Sequence, residues 1–313
     1  MLSSLLRVQP KTANAEPEPE DLFQSSLGLI FTDDLQNQHG DPGTTVTYRS
    51  NGYGDLEFEI ADPSGENERT KFAHYLWNAG VLMGEFVGGR EKEKGNDSDY
   101  DGVWGMRKFE GKREWWLDVD EEEMWKIRGE KVLELGAGVG LVGIMSVLAE
   151  AEEVTITDYP APTIIDTLAQ NVTKNIPQEL QPKVTVQPHQ WGDLTTPFAL
   201  AKKEYYTRIL AADTLWLPQQ HLNLAKSMLH FLSKDPGARI FVIAGFHTGR
   251  AKMACFFEET LPGVGLEIEE IWEMDADGRR RPWSAVADEI GDKVGERKKW
   301  LVVARLRRKV HGD

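Results

Sequence analysis

The chain reads as an α/β layered protein built on a mostly parallel sheet. From about residue 131 to residue 259, short β-branched runs alternate with segments of helical period, and the loops between them are short. A cluster of glycines also falls between the first such strand and the first such helix, where open α/β sheets hold ligands.

Each element has its own signal. Lys131–Leu135 is strand-like, Leu141–Leu148 carries a helical stripe, and Glu153–Thr157 is a second strand. Thr163–Asn175 is a helix with Ile164, Ile165, Leu168 and Val172 on one face. Strands follow at Lys183–Gln187, Tyr205–Leu210 and Arg239–Ala244, with helices over Gln219–Ser233 and Ala251–Glu259. A hydrophilic stretch without helical period joins the last two strands, Leu266–Trp272 and Lys299–Ala304, so they are expected to pair antiparallel at one edge. No internal repeat is present.

Ahead of this region, 21–128 reads as an N-terminal extension. Thr44–Tyr48 and Leu56–Ile60, separated by Asn51-Gly52, predict a β-hairpin, and apolar residues from Phe72 to Phe86 recur at helical spacing. The charged, Gly-rich stretch 88–111 predicts an exposed loop inserted at the surface. Residues 1–20 end in Ala15-Glu-Pro-Glu-Pro-Glu20 and are expected to be a disordered tail. The ligand-binding domain then spans 129–313.

Charge and cysteine content exclude several classes. With 36 Lys+Arg against 51 Asp+Glu the formal charge is −15, which repels phosphate backbones, so nucleic acid is not an expected direct partner. The excess is N-terminal: 27 acidic and 14 basic residues precede Lys131. It reads either as a solvated face or as a surface, Glu121–Glu123 included, that attracts a basic protein. The single cysteine, Cys255, cannot form an intrachain disulfide or a thiolate zinc site and is expected to be buried and inert. His74, His189, His221, His230 and His247 show no metal-ligand spacing, so no metal is expected; His247, in Gly-Phe-His-Thr-Gly, is the one worth testing at a substrate mouth. No apolar run reaches membrane-span length, and a soluble, cytoplasmic monomer is expected.

The strongest motif is Glu134-Leu-Gly-Ala-Gly-Val-Gly-Leu-Val-Gly143. Its glycines let the chain bend sharply and approach a ligand above a helix N-terminus. The spacing Gly138-x-Gly140-x-x-Gly143 also fits a dinucleotide fingerprint, with Asp158 where a ribose-binding acid belongs. Glu134 tips the balance: its carboxylate would repel a pyrophosphate but suits S-adenosylmethionine, which carries a sulfonium and an ammonium and no phosphate. A dinucleotide-dependent oxidoreductase is the least favoured alternative.

Glu-Leu-Gly-Ala-Gly-Val-Gly at 134–140, Thr-Asp-Tyr-Pro at 157–160, Gln-Asn-Val at 170–172, Trp-Gly at 191–192, Asp-Thr-Leu-Trp at 213–216 and Leu-Trp-Asn-Ala-Gly at 76–80 together resemble the seven-β-strand methyltransferases of family 16. The fungal branch of that family includes nicotinamide N-methyltransferase-like proteins and N-terminal and lysine methyltransferases of a translation elongation factor. The resemblance runs from about Phe72 to Arg305. It implies a Rossmann-like sheet of seven strands and S-adenosylmethionine as cofactor. It also implies that Gly136, Ala137 and Gly138 line the methionine end, that Asp158 holds the ribose and that Trp191 lies on the adenine; Glu134 and Gly140 of the same motif are the further cofactor-binding candidates. Trp77 and Ala212 would close the pocket.

Methyl transfer to an amine is an in-line displacement that demands alignment more than side-chain nucleophiles. The family's lysine methyltransferases place an acid-x-x-aromatic motif after the fourth strand, and Asp213-Thr-Leu-Trp216 resembles it, with Trp where Tyr or Phe is more usual. Asp213 would orient the amine and Trp216 would wall its channel. Alternatively, Asp213 caps the following helix. The expected acceptor is a lysine or N-terminal amine of a basic, translation factor-like protein; the alternatives are a small, nicotinamide-like molecule, or cofactor binding without turnover.

Overall fold

The computed structural model describes residues 2–10, 37–62, 75–89, 115–286 and 298–309. Strand β1 (Leu6–Pro10) comes first, then the two-residue β2 (Gln38–His39), β3 (Thr44–Ser50), β4 (Gly54–Glu59) and the two-residue β5 (Leu76–Trp77). The expected hairpin is β3–β4, in register Val46↔Phe58 and Tyr48↔Leu56, and β1 adds antiparallel to β3. Residues 2–10 therefore depart from the disorder expected of 1–20: Leu2 and Leu5 are buried, and that apolar anchor lets the strand pair. Residues 11–20 lie outside the described residues.

Helix α1 (Asn78–Gly88) is buried along almost its whole length. It begins later than the periodicity suggests because Leu76 and Trp77 pair with His39 and Gln38 as β5. Residues 72–74 and most of the expected 88–111 loop, from 90 on, lie outside the described residues. The segment from 115 to 127 belongs to the core: Trp116, Leu117, Trp125 and Ile127 are each at most 1% exposed. Between them, α2 (Val119–Met124) starts with a capping box in which Asp118 and Glu121 exchange hydrogen bonds. The buried Glu85 of α1 accepts from the Tyr48 hydroxyl and from the Trp116 indole N–H, tying hairpin, helix and this segment together.

The main sheet is built from β6 (Lys131–Leu135), α3 (Leu141–Leu148), β7 (Glu153–Asp158), α4 (Pro162–Asn175), β8 (Val184–Pro188), α5 (Pro197–Ala201), β9 (Arg208–Ala212), α6 (His221–Phe231), β10 (Arg239–Gly245), α7 (Arg250–Cys255), β11 (Leu266–Asp275), β12 (Arg280–Pro282) and β13 (Trp300–Arg308). The strand order is β12-β11-β13-β10-β9-β6-β7-β8. The five strands from β8 to β10 run parallel, and β13 is antiparallel to both β10 and β11. The last two long strands thus pair antiparallel as expected, with the final one inserted inside. To the seven expected strands the structure adds the three-residue β12. Asp275 makes that extra turn possible, its carboxylate accepting from the Asp277 and Arg279 N–H groups.

Alternate residues of the central strands feed two cores. Leu210, Phe241 and Ile243 point to one that includes Tyr48, Leu82, Phe86, Trp116 and Ile144; Ile209, Ile240 and Val242 point to the other, with Tyr206, Phe231 and Phe256. The N-terminal extension therefore covers one face of the sheet and shares its core. Cys255 is exposed, against expectation, because Met253, Ala254, Phe256 and Phe257 take the inward side of their helix. Chain order reverses between β6 and β9, which opens a crevice at their C-terminal ends.

Candidate active site

At that crevice lies a cleft of about 950 Å³, open solvent at its mouth included, lined by the glycine turn, Asp158, the 189–191 segment, the 212–217 segment and Tyr75–Trp77. The glycine turn leaves β6 with Gly136, Gly138 and Gly140 all at positive φ. Five of its N–H groups, those of all four glycines among them, are already committed. Gly136 and Ala137 both donate to the Thr157 carbonyl at 3.0 Å, Gly138 to Asp158 Oδ2 at 2.7 Å, Gly140 to the Ala137 carbonyl at 2.9 Å and Gly143 to Glu134 Oε2 at 2.9 Å. A pyrophosphate needs such donors free; a turn that spends them on carbonyls and carboxylates suits a cationic ligand.

Both carboxylates are buried. Asp158, at the end of β7, also accepts from the Tyr159 N–H at 2.6 Å, and burial pushes its carboxyl up to about 6 in spite of those two hydrogen bonds. Glu134 is pushed up to about 8 by burial first and by Asp158 nearby, against the opposing hydrogen bond from Gly143. A cation entering the cleft would relieve both.

Trp191 forms the wall facing the turn: a Cβ on Gly136 would lie 2.9 Å from its Cζ2 and 3.0 Å from Thr214 Cγ2. The tryptophan is held by the glycine after it. Gly192, at φ 86, leaves no room for a side chain against Asn223, and its N–H donates to Ser227 Oγ. Ser227 in turn contacts His189 Nε2 at 3.2 Å, and burial lowers that imidazole to about 4, so it is neutral at physiological pH. His189 Nδ1 and Thr214 Oγ1 are buried with no hydrogen-bond partner among the described residues.

Across the cleft, Asp213 follows β9 in the left-handed region, φ 53, uncommon for a residue with a side chain. It caps no helix. Its Oδ1 accepts from the Gly245 N–H at 2.9 Å, and His247 Nε2 lies 3.0 and 2.9 Å from its two oxygens. The His247 ring meets Trp77 edge-on, centroids 4.9 Å apart. Trp77 is set by the β2–β5 pairing and by Asn78, whose N–H donates to the Asn37 carbonyl and whose side chain meets His39 at 2.8 Å. Trp216 and Ala212 line the same side.

A family model described as lysine methyltransferase, methyltransferase family 16, matches residues 63–261. The chain belongs to this family. Among its relatives, a protein N-terminal and lysine N-methyltransferase of Schizosaccharomyces pombe is 28% identical over 231 residues, 70% of this chain and 77% of the relative. A Gibberella zeae protein of the same description is 27% identical over 51% of this chain and 65% of its own length. A protein N-lysine methyltransferase of Danio rerio is 40% identical over 36% of this chain and 50% of its own length. Likeness to solved structures is slight: a SAM-dependent methyltransferase from Aquifex aeolicus has TM-score 0.42 and 13% identity, covering 61% of this chain and 89% of that one.

As a member of the methyltransferase family, this enzyme takes S-adenosylmethionine as methyl donor. The residues fit that group: spent glycine donors, two buried acids that a cation would ionise, a cradle between Gly136 and Trp191 that a Cβ would fill, and two unpartnered polar atoms at the wall. The cleft gathers Trp77, Glu134, Gly136, Ala137, Gly138, Asp158, Trp191, Ala212, Asp213 and Trp216. Gly140 is not among them. It is buried beneath the turn, where a Cβ would come within 2.4 Å of Leu168 Cδ1. Sequence reasoning missed His189, Thr214 and Tyr75 as lining residues. No group of three or more potential metal ligands occurs among the described residues, and no described helix is long and apolar enough to cross a membrane.

Proposed function

We propose that this methyltransferase transfers a methyl group to a lysine or N-terminal amine of a protein. One observation carries the reading: the Asp213 carboxylate lines the same cleft as the glycine turn, on the opposite side. When bound, S-adenosylmethionine supplies an electrophilic methyl on a positively charged sulfur. Glu134 and Asp158 would hold its charged and hydroxyl groups, and Trp191 its base. Asp213 would accept hydrogen bonds from the incoming amine and so turn the nitrogen lone pair toward the methyl. The Trp77 and Trp216 faces would strip water from the amine, which favours its neutral, nucleophilic form. The relatives' descriptions and the resemblance to translation-factor methyltransferases support a protein acceptor. The formal charge of −15 favours a basic acceptor over nucleic acid, and a monomeric enzyme working in the cytoplasm is the remainder of the proposal.

The test is labelled S-adenosylmethionine in a eukaryotic lysate, with label read in protein and small-molecule fractions. The expected result is a labelled protein band that falls by about 100-fold or more in Asp213→Ala while cofactor affinity changes little. Label confined to small molecules would replace the protein acceptor with a nicotinamide-like one. Cofactor binding with no label in either fraction would reduce the enzyme to a binding protein.

A further inference from the structure

We propose that His247 is the positioning residue for Asp213, holding its carboxylate toward the methyl acceptor and bracing Trp77 in the facing wall. The inference rests on the amine-transfer reading above. Asp213 sits in a backbone conformation of few populated states, fixed by its N–H donating to the Ile243 carbonyl at 2.7 Å. Its carboxylate is held from two directions only among the described residues: the Gly245 N–H reaches Oδ1, and His247 Nε2 reaches both oxygens. Facing two acceptors, Nε2 is assigned the proton and donates to the pair. One backbone donor alone leaves a carboxylate free to swing about its χ angles; a second donor bridging both oxygens fixes its plane.

Local sequence is arranged for this contact. A Cβ on Gly245 would lie 2.8 Å from His247 Nε2, so glycine there leaves space for the imidazole while its own N–H serves the same carboxylate. His189, His221 and His230 hydrogen-bond into packing elements, to Ser227, the Leu215 carbonyl and the Ala199 carbonyl. His247 instead bonds a cleft residue and touches a second one edge-on, which couples two walls of the site through one ring.

The experiment compares wild type, His247→Phe and His247→Gln in methyl transfer to the protein fraction of a eukaryotic lysate, titrated separately over acceptor protein and over S-adenosylmethionine. His247→Phe keeps a ring against Trp77 and removes the donor; kcat is expected to fall about 100-fold, with KM for the cofactor nearly unchanged. In His247→Gln the amide N–H can still reach the carboxylate, and most of the lost rate is expected to return. A His247→Phe enzyme with more than half the wild-type kcat, or a folded His247→Gln no better than the phenylalanine variant, overturns the proposal. A second measurement does not depend on turnover: the ¹⁵N–¹H signals of the His247 imidazole should shift in Asp213→Asn, and identical signals overturn it. A wild type that binds cofactor and methylates no amine overturns the parent reading and this inference with it; an active wild type with an indifferent His247 overturns this inference alone.

Discussion

The two sides of the cleft are built in different ways. The side proposed for the cofactor comes from one strand-turn-helix and the strand beside it: Glu134, Gly136, Gly138 and Gly143 lie within ten residues, and their partners Thr157 and Asp158 are on the neighbouring strand. The side proposed for the acceptor joins Trp77, Asp213 and His247, which lie far apart in the chain and meet only because α1 packs on the sheet and the ends of β9 and β10 are adjacent. A short-range unit is fixed by backbone geometry, so its residues tolerate almost no change in shape. A long-range one is fixed by side-chain hydrogen bonds, so substitutions there should cost rate before they cost fold.

The contrast is sharpened most by two glycines of the same turn. Gly140→Val puts a side chain at positive φ into Leu168, and it should destabilise the protein by about 2–4 kcal/mol, read by thermal or urea unfolding. Gly136→Val, also at positive φ, collides with Trp191 and Thr214, which line the cleft; it should destabilise the fold too and, in the protein that stays folded, weaken S-adenosylmethionine binding by about 10- to 100-fold, a loss not expected of folded Gly140→Val. Equal cofactor affinity in the folded fractions of the two variants would erase the distinction between a lining and a packing glycine.

That distinction marks how far the sequence is legible. Spacing alone groups Gly136, Gly138 and Gly140 as ligand-binding, because a motif records which positions must be glycine and not whether ligand or Leu168 forbids the side chain. Helix and strand periods locate nearly every element of the sheet, since burial on alternate faces leaves its period in the chain. Leu2–Pro10 reads as part of a tail because two buried leucines in ten residues make no period, and the pairing that orders them lies near residue 46. His247 stands out only as an isolated histidine after a strand; its partner is 34 residues earlier, and no local pattern encodes that contact.

A smaller effect comes from the buried acids. Asp158 and Glu134 have folded-state values raised to about 6 and about 8, so in the cofactor-free protein they favour folding when protonated. Their contribution to stability is fully present below about pH 4 and is lost as pH rises through those two values. Binding of the positively charged cofactor favours the ionised acids, so affinity should move the opposite way, rising by about tenfold from mildly acid to mildly alkaline pH. Calorimetric titration across that range, repeated in buffers of different ionisation enthalpy, should detect protons released on binding. Glu134→Gln should flatten the alkaline part of the rise, and an unchanged profile would remove Glu134 from the linkage.

The smallest effect concerns the acidic surface. Reversing the whole Glu121–Glu123 cluster would be a poor test of attraction for a basic acceptor, because Glu121 is half of the α2 capping box and pairs with Arg280, whose guanidinium also donates to the Trp116 carbonyl. Glu123 is exposed and pairs with Lys126 three residues on, an arrangement worth little to stability. Glu123→Lys should therefore leave unfolding nearly unchanged and, if charge guides the encounter, raise KM for the acceptor by about two- to threefold at low ionic strength, the difference fading as salt shortens the reach of surface charge. An acceptor KM that is the same in both proteins at low salt would assign the N-terminal acidity to solvation alone and leave recognition of the substrate to the walls of the cleft.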